Sequence, residues 1–486
     1  MPRYGDEDPI AAPATAPGES ALALIRCSGA GSVNLLSKVF SRPAKLRSAG
    51  GNSIVHGWIQ ELRGGGTLPP PPDNIDIIDN TDNLNNIDEV LISVYRAPRS
   101  YTGEEGVDIS CHGGTAAVRA VMNALRAAGF RDSLPGEFSF RAFMNGKLDL
   151  TRSESVMELV QARTDEGRHR AVARLSGRLR EEITALKGLL LESLAEAELH
   201  LDYDETELSL PGEVEEGTLP GREEVEGALK RLRTLAGTWG RERLYQEGAL
   251  AVIAGRPNAG KSSLFNALLG EDRSIVTEIP GTTRDWIEAA VSMGGIPLRL
   301  ADTAGLRGTG ESTPQVSDRV ERIGIQKSRE LLEQADLILY VIDGSRGLRD
   351  DERELLTKPR TVPLLPLWNK ADIALPPAGA FLPLSAKTGQ GLAELCGAIT
   401  GALEQRAGGT GEPGNRGGAA LGTERQKELV DRAAATLEEA LDLADRREAL
   451  ELIAPCLREA VDALGEITGE VSTADILETI FSKFCV

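Results

Sequence analysis

The segment that most constrains the fold is the run Gly-Arg-Pro-Asn-Ala-Gly-Lys-Ser at positions 255–262. It follows an apolar stretch at 249–254 that predicts a strand, and it precedes a helix-like stretch. In that context the backbone N–H groups can point at phosphates, Lys261 can reach the outer two, and Ser262 can hold a magnesium ion. An ordinary glycine-rich loop is the alternative. The candidate binding residues of this loop are Asn258, Ala259, Gly260, Lys261, Ser262 and Ser263.

Two further motifs lie where a GTPase has the loops that sense its third phosphate. Pro-Gly-Thr-Thr-Arg-Asp at 280–285 supplies Thr283, whose hydroxyl can complete the magnesium shell. Asp-Thr-Ala-Gly at 302–305 follows an apolar stretch, and its aspartate can hold magnesium through water. The candidate residues of this second motif are Asp302, Thr303, Ala304 and Gly305.

The nucleotide base is indicated by Asn-Lys-Ala-Asp at 369–372, which supplies Asn369, Lys370 and Asp372. A carboxylate can accept hydrogen bonds from both the ring N–H and the exocyclic amine of guanine, whereas adenine lacks that arrangement of donors. The run Ser385, Ala386 and Lys387 then fits a loop whose backbone N–H meets the guanine oxygen. Each motif is weak alone, but five in order within about 130 residues predict GTP binding.

Position 306 holds leucine, where many switch GTPases carry the glutamine that orients the attacking water. Another group must therefore position the water. The candidates are the carboxylates Glu311, Asp318 and Glu321. On spacing alone, a solvated carboxylate on a helix face is the better explanation of each.

The charge balance limits the partners that the chain can bind. A net charge of −20 excludes broad, non-specific nucleic-acid binding, because phosphate contacts need clustered Lys and Arg. The best local candidate for an RNA patch is Arg170, Arg174 and Arg178, spaced by four on a predicted helix. Its neighbours are Arg163, Arg168 and Arg180. The alternative is a solvated face whose cations pair with Glu181 and Glu182.

The sequence lacks the features that direct a protein into or across a membrane. No apolar run approaches the roughly 18 residues of a membrane span, and the first six residues have neither the basic nor the apolar part of a signal peptide. We therefore expect a cytoplasmic protein. Its five cysteines lack the close pairs of a zinc site and the density of a disulfide scaffold, so we expect reduced thiols.

The length of 486 residues predicts about three domains. Residues up to about 141 mix strand-like and helical runs, which predicts an α+β domain. A capping-box pattern, Thr-Arg-Ser-Glu at 151–154, opens a helical block, and a second helical block begins near residue 426. We expect a multidomain α+β and α/β protein in which a P-loop GTPase domain is inserted into a discontinuous helical domain. The predicted bounds are 1–141 for the first domain, 142–245 and 408–486 for the helical domain, and 246–407 for the GTPase domain.

The motifs together resemble one family, the tRNA-modification GTPases known as MnmE or TrmE, over nearly the whole chain. Beyond the GTPase motifs, the matching stretches are Ala-Leu-Ile-Arg-Cys-Ser-Gly at 23–29, Ser-Tyr-Thr-Gly-Glu at 100–104, Pro-Gly-Glu-Phe-Ser at 135–139, Gly-Lys-Leu-Asp-Leu at 146–150, Leu-Gly-Glu-Ile-Thr-Gly at 464–469 and Phe-Cys at 484–485. These stretches separate this family from other GTPases with similar phosphate loops.

The resemblance implies that the first domain is similar to folate-binding aminomethyltransferase domains, mediates homodimerisation and binds 5-formyltetrahydrofolate or a related folate. The matching positions are Arg26, Glu104 and Lys147, for each of which a surface ion pair is the alternative. The family's chains usually end Cys-x-Gly-Lys, whereas this one ends at Cys485 and a valine, so we expect a weaker folate site or one completed otherwise. Cys485 is either a functional thiol near that site or a small buried hydrophobe.

In the GTPase domain, which is expected to be Ras-like, the resemblance implies a potassium ion held by Asn258, Thr277, Ile279 and Thr282. This ion would replace an arginine finger as a fixed positive charge. The same loop carries Glu278, Pro280 and Gly281. The family's water-orienting glutamate matches Glu321, which makes that residue the favoured catalytic carboxylate. Residues 308–315 make the link from Asp302 to Glu321 longer than is usual in the family.

The resemblance further implies a flavin-bearing partner, MnmG, in a heterotetramer. The pair would add a carboxymethylaminomethyl or aminomethyl group at carbon 5 of the wobble uridine of certain tRNAs, with GTP hydrolysis driving conformational change. Two rival functions stay open. A ribosome-assembly or other RNA-associated switch GTPase predicts an appended basic RNA-binding domain. A folate-dependent aminomethyl-transfer enzyme with a regulatory GTPase predicts that modification persists when hydrolysis is blocked.

Overall fold

The computed structural model describes residues 8–61, 86–202, 219–270, 288–302, 331–377, 379, 381–408, 418–471 and 474–484. The chain divides into two compact units. The first unit comprises Met1–Ser153 with Gly469–Val486, and the second comprises Glu154–Thr468. Across the described ranges, no helix combines the length and the apolar character that a membrane span requires.

The first unit is built on a six-stranded sheet with the order β3-β4-β5-β2-β1-β6. Its strands are β1 (Ile10–Pro13), β2 (Ser20–Ser28), β3 (Ser53–Gln60), β4 (Asn86–Tyr95), β5 (Gly106–Gly113) and β6 (Arg131–Asp132). Neighbouring strands are antiparallel, except that β1 and β6 are parallel. Residues along most of β3 and β4 alternate between buried and exposed, so one face of the sheet forms a core.

Three helices share that core with the sheet. They are α1 (Ser32–Leu36), α2 (Pro43–Ser48) and α3 (Thr115–Ala128), and their apolar side chains Leu36, Leu46 and Leu125 are fully buried in it. A separate helix, α4 (Glu137–Met144), packs against the last helix of the chain, α15 (Ala474–Phe481). The rings of Phe140 and Phe481 meet edge to face at 5.5 Å. The mixed strand and helix content predicted for this part of the chain is confirmed.

The predicted capping box at 151–154 is wrong. Helix α5 (Leu150–Gln161) already includes these four residues, and the residue before the helix, Asp149, supplies the cap. Its Oδ1 accepts hydrogen bonds from the backbone N–H of Arg152 at 3.0 Å and from the hydroxyl of Thr151. An aspartate at this position satisfies an N–H of the first turn that has no partner within the helix.

The second unit contains a helical core whose members are far apart in the sequence. Its helices are α6 (Asp165–Leu175), α7 (Arg178–Asp202), α8 (Arg222–Ala236), α9 (Trp239–Glu247), α13 (Glu424–Asp445) and α14 (Leu450–Thr468). Helices α7, α8, α13 and α14 bury one continuous cluster of leucine, isoleucine, valine and alanine side chains, which includes Leu186, Leu232 and Leu457. The chain between α9 and α13 forms the other part of this unit.

That other part is a six-stranded sheet with the order β12-β11-β10-β7-β9-β8. Its strands are β7 (Ala249–Gly255), β8 (Glu288–Met293), β9 (Ile296–Asp302), β10 (Leu337–Asp343), β11 (Leu364–Asn369) and β12 (Leu382–Pro383). The associated helices are α10 (Lys261–Gly270), α11 (Asp350–Thr357) and α12 (Leu392–Arg406). All pairings are parallel except that of β8 with β9.

Strand β7 is central and is buried on both faces, in two separate hydrophobic clusters. Its neighbours β9 and β10 lie on opposite sides of it, so the strand order reverses at β7. A parallel sheet binds ligands outside the carboxyl ends of its strands, at such a switch point. This topology places the end of β7 where a ligand site is expected.

Candidate nucleotide-binding site

The phosphate loop leaves β7 at its carboxyl end and enters α10 at Lys261. Two of its glycines have positive φ, 139° at Gly255 and 96° at Gly260. A Cβ at Gly255 would lie 2.3 Å from the carbonyl oxygen of Val341, and one at Gly260 would lie 2.2 Å from Nδ2 of Asn369. Asn258 also has a positive φ, of 65°, which asparagine tolerates better than most residues. The loop conformation therefore depends on these residue types.

Lys261 is folded back over the loop that precedes it. Its side chain is buried, and Nζ donates a hydrogen bond to the carbonyl oxygen of Arg256 at 2.8 Å. Arg256 is itself held by α11, through ion pairs to Asp351 and to Glu352, the latter at 3.4 Å. Sequence reasoning did not single out Arg256. Two features of the sequence could have indicated its role: Arg256 lies within the loop motif, and a run of acidic residues occurs at the start of α11.

Ser262, at the start of α10, and Asp302, at the end of β9, meet at this edge of the sheet. The Ser262 hydroxyl donates to Oδ2 of Asp302 at 2.8 Å. Asp302 ends β9, beside β7, and is 2% exposed. The structure thus brings together two residues that the sequence named as magnesium ligands from separate motifs. A hydroxyl and a carboxylate are hard oxygen donors of the kind that magnesium prefers.

Asn369 joins three of the predicted motifs. This residue ends β11, is 3% exposed, and donates from Nδ2 to the carbonyl oxygen of Ala259 in the phosphate loop at 2.8 Å. Its Oδ1 accepts a hydrogen bond from the N–H of Ala386 at 3.0 Å. Both polar atoms of the side chain are used within the protein. Asn369 therefore holds the phosphate loop and the loop of Ala386 at a fixed separation.

The residues beside Asn369 are more accessible. Lys370 has a φ of 65°, and its Nζ lies 2.7 Å from Oδ2 of Asp343 and 3.5 Å from the carbonyl oxygen of Asn258. Burial raises the pKa of Asp343, but the hydrogen bonds from Lys370 and Ser345 outweigh burial and hold it below its ordinary value. Sequence reasoning missed Asp343, although its position at the end of β10 was a signal.

The remaining residues of the two base-recognition motifs lie on either side of Asn369. The Asp372 carboxylate and Lys387 are exposed. Ser385 is buried, and its N–H donates to the carbonyl oxygen of Gln390 at 2.9 Å. The buried Ser385 fixes the loop, whereas the exposed Asp372 and Lys387 are accessible to a ligand.

A cavity of about 360 Å³ lies in the first unit. Arg26 and Lys147 line it, as do Tyr101 and Asp108. Arg26 is bonded to Asp108 at 3.0 and 3.2 Å, and its guanidinium lies 5.4 Å from the centroid of the Tyr101 ring. Burial lowers the pKa of Arg26, but Asp108 raises it more, so the pKa lies above its ordinary value. Arg26 therefore presents a fixed positive charge at the cavity wall.

The other two residues predicted for this cavity are bonded within the protein. Nζ of Lys147 donates to the carbonyl oxygen of Pro98 at 3.1 Å. Glu104 accepts a hydrogen bond from the hydroxyl of Ser28, which lines the cavity, at 2.7 Å. It also pairs with the buried guanidinium of Arg141 at 3.2 Å. The three predicted positions thus lie in one region, and Glu104 is one residue removed from the cavity wall.

Comparisons with known proteins assign the chain to a family. Residues 150–485, more than half of the chain, match the family model described as the MnmE helical domain. The chain belongs to the MnmE family. Residues 9–147 match the model described as the N-terminus of the GTP-binding protein TrmE.

Two relatives match the MnmE-family chain from end to end. The tRNA modification GTPase MnmE of Treponema denticola is 39% identical over 502 residues, which span 100% of this chain and 99% of the relative. The protein of the same name from Heliobacterium modesticaldum is 40% identical over 493 residues, with 99% of each chain covered. The crystal structure of Aquifex aeolicus Era bound to GDP and aluminium fluoride shares 26% identity over 39% of this chain and 66% of that chain, with a TM-score of 0.26.

Several predicted positions of this MnmE-family chain lie outside the described residues. They belong to the segments 271–287 and 303–330 and to the last two positions of the chain. These positions are Thr277, Glu278, Ile279, Pro280, Gly281, Thr282, Thr283, Thr303, Ala304, Gly305, Glu311, Asp318, Glu321 and Cys485. Their roles stay predictions.

The candidate RNA patch is wrong for Arg170 and Arg174, which lie on α6, and Arg178 lies on a separate helix, α7. Arg174 is 4% exposed and pairs with Glu158 and Glu242, each at 2.6 Å. Arg170 pairs with Glu166 at 3.0 Å and with Glu242, and its guanidinium stacks 4.0 Å from the ring centroid of Tyr245. The alternative, a solvated face paired with Glu181 and Glu182, is wrong for these two arginines as well. They belong to a buried ion-pair cluster, in which neither guanidinium is available to RNA.

Proposed function

We propose that this MnmE-family protein binds GTP and magnesium at the carboxyl edge of β7, β9, β10 and β11, and that it hydrolyses GTP in the course of tRNA modification. The proposal rests on the two side-chain hydrogen bonds of Asn369. These bonds fix the phosphate loop and both base-recognition loops relative to one another. A GTP site needs these loops at fixed separation, because the base and the phosphates belong to one ligand. The full-length similarity to proteins named tRNA modification GTPase supplies the substrate class.

The described residues fit GTP and magnesium. Bound magnesium would neutralise charge on the outer phosphates. The hydroxyl oxygen of Ser262 and Oδ2 of Asp302 lie 2.8 Å apart and are suitably placed to hold the ion. Lys261 begins α10, so its ammonium and the N–H groups of the helix start lie at the same end of the helix. None of the described residues bonds to the exposed carboxylate of Asp372, so it can accept hydrogen bonds from the two N–H donors of guanine.

We propose that potassium supplies the positive charge that other GTPases receive from an arginine. The Asn258 side chain is exposed at the loop, and no side-chain hydrogen bond to it occurs among the described residues, so its carboxamide oxygen is available to a cation. Thr277, Ile279 and Thr282 would complete the oxygen shell. In this scheme Glu321 orients the attacking water, since residue 306 is leucine rather than glutamine.

We also propose that the cavity of the first unit binds 5-formyltetrahydrofolate or a related folate. The cationic side chains of Arg26 and Lys147 can pair with the carboxylates of a glutamate tail. The ring of Tyr101 can stack on a pterin. The proposed assembly is a cytoplasmic homodimer that works with a flavoprotein partner on carbon 5 of the wobble uridine. The ribosome-assembly alternative has no specific observation in its favour among the described residues.

Replacement of Asp372 by asparagine tests the guanine assignment. Asparagine offers a donor where guanine also donates, so we expect Asp372→Asn to weaken GTP binding at least about tenfold and to favour xanthosine triphosphate. Equilibrium titration with both nucleotides measures the change. The exposed Asp350→Asn, at the start of α11, is the matched control and should leave both affinities unchanged. Unchanged GTP affinity in Asp372→Asn would refute the assignment.

A further inference from the structure

The first unit carries a stretch whose charge differs from that of the whole chain. Residues 20–60 contain no aspartate or glutamate, and neither do residues 109–131, in a chain with a net charge of −20. The helices α1, α2 and α3 fall within these two stretches and cover the same face of the first sheet. The outward side of this helical layer therefore carries no carboxylate.

The same layer carries six exposed cations. We call them the cationic helix face: Lys38, Arg42, Lys45, Arg47, Arg119 and Arg126. Lys38 lies at the carboxyl end of α3, where its Nζ donates to the carbonyl oxygen of Ala128 at 3.0 Å. Arg119 and Arg126 are seven residues apart on α3, so they lie on one side of that helix. Lys45, Arg47, Arg119 and Arg126 thus lie on α2 and α3, while Lys38 and Arg42 lie in the short link between α1 and α2.

Most of these cations lack an acidic partner. Among the residues that the structure describes, Arg42, Lys45, Arg47 and Arg119 form no ion pair, and only Arg126 does so, with Asp132 at 2.8 Å. Three exposed arginines of the second unit, by contrast, each have an acidic partner. Arg233, Arg243 and Arg446 pair with Glu438, Glu247 and Asp442 at 2.6 to 2.7 Å. The cationic helix face therefore combines unpaired cations with helices that carry no carboxylate.

We propose that the cationic helix face binds the phosphate backbone of tRNA, an inference that rests on the proposed function. Unpaired Lys and Arg clustered on one face form the electrostatic footprint of a nucleic-acid site. Phosphate contacts need such dispersed cations, whereas the centre of a protein–protein interface needs apolar and aromatic side chains. No large apolar side chain is exposed in residues 31–50 or 114–131, all of which are described. The surface therefore suits RNA better than an acidic protein.

The test uses the full chain with three substitutions on and beside α2, Arg42→Gln, Lys45→Gln and Arg47→Gln. The buried anchor of this helix, Leu46, stays in place. We expect tRNA affinity to fall at least about tenfold at 0.1 M salt. The slope of log K against log[salt] should become shallower by about 2, because each lost phosphate contact removes roughly 0.7 to 0.9. GTP hydrolysis and the thermal unfolding midpoint should not change.

The matched control changes the net charge by the same amount in the second unit. Arg233→Gln, Arg243→Gln and Arg446→Gln remove three exposed, paired cations and should alter tRNA affinity by less than about twofold. Equal loss of affinity in both triple variants would mean that net charge alone matters, and would overturn the inference.

Other outcomes would show that the cationic helix face does not bind tRNA. If the α2 variant keeps the affinity and salt slope of the unchanged chain, tRNA does not bind this face. If it keeps tRNA affinity but loses binding to the flavoprotein partner, the face serves that protein and the tRNA assignment is wrong. An unchanged chain that binds no tRNA, alone or with the partner, would contradict the proposed function itself as well as this inference.

Discussion

The side-chain amide of Asn369 donates a hydrogen bond to the carbonyl oxygen of Ala259 at 2.8 Å, although the two residues are 110 positions apart in the sequence. The same side chain accepts from Ala386 at 3.0 Å. One buried amide thus connects the loop expected to hold the phosphates with the loop expected to face the base. Binding of either end of the nucleotide should therefore stabilise the loop at the other end.

We predict that Asn369→Ala weakens GDP and GTP binding at least about tenfold. The substitution leaves the buried carbonyl of Ala259 without its partner, at a cost of about 1 to 3 kcal/mol, and also removes the partner of the half-buried Ala386 N–H. Asn369→Asp separates the two bonds, because aspartate can still accept from Ala386 but cannot donate to Ala259. Calorimetric titration should place its affinity below that of the unchanged protein. Normal affinity in Asn369→Ala would show that the two hydrogen bonds of Asn369 do not organise the site.

The order of the motifs predicted which strand ends would meet, because parallel strands present their carboxyl ends at one edge. The motifs indicate both Ser262 and Asp302 as magnesium ligands, and the structure joins the two by a hydrogen bond. Spacing could not predict that Asn369 would bond to protein atoms, because a motif indicates a residue type at a position rather than the atoms that it contacts.

The arginines of α6 show a second limit of the sequence. A spacing of four residues places Arg170 and Arg174 on one helix face whether that face is solvated or buried. The partner that decides between these cases, Glu242, is 68 residues from Arg174 and lies on α9. Local charge pattern favoured Glu181 and Glu182 because they are close in sequence. Only tertiary packing shows which carboxylate is near.

We predict that GTP hydrolysis is faster in potassium than in sodium. A cation held by Asn258 would stabilise the charge that develops on the transferring phosphate, and sodium is too small for the same oxygen shell. Asn258→Ala should abolish the difference between the two salts while leaving GTP binding largely intact. Phosphate release measured at equal ionic strength tests this. Equal rates in both salts for the unchanged protein would rule out the potassium assignment.

We predict that Glu321→Ala spares GTP binding but reduces turnover at least about a hundredfold, which is the lower range expected for loss of a group that positions or activates water. Glu311→Ala is the matched control, because it removes a carboxylate from the same segment and should retain most of the activity. Single-turnover hydrolysis distinguishes them. Similar rates for both variants would return Glu321 to the class of solvated carboxylates.

The buried ion-pair cluster should make stability depend on pH. Burial raises the pKa of Glu158 to about 7, assisted by Glu154 and Glu242 and opposed by Arg174. The folded state therefore keeps a proton that the unfolded chain releases near pH 4.5. Stability from this group is fully present below pH 4.5 and is lost as the pH rises through about 7, by up to about 3 kcal/mol.

Glu158→Gln removes this titration. We expect chemical denaturation of the variant to show a smaller loss of unfolding free energy between pH 4.5 and 7.5 than the unchanged protein shows, since glutamine stays neutral throughout. Glu226→Gln, at an exposed ion pair, is the control and should leave the pH profile unchanged. An identical profile for Glu158→Gln would mean that Glu158 is ionised across this range.

We propose that GTP hydrolysis at the site organised by Asn369 serves tRNA modification. The most direct test is chromatography with mass spectrometry of nucleosides from the tRNA of cells that lack the gene, complemented with the unchanged chain or with Asp302→Asn. We predict that the carbon-5 modification of the wobble uridine disappears without the gene, returns with the unchanged chain and stays absent with Asp302→Asn. Full modification in cells that lack the gene, or with the hydrolysis-deficient variant, would contradict it.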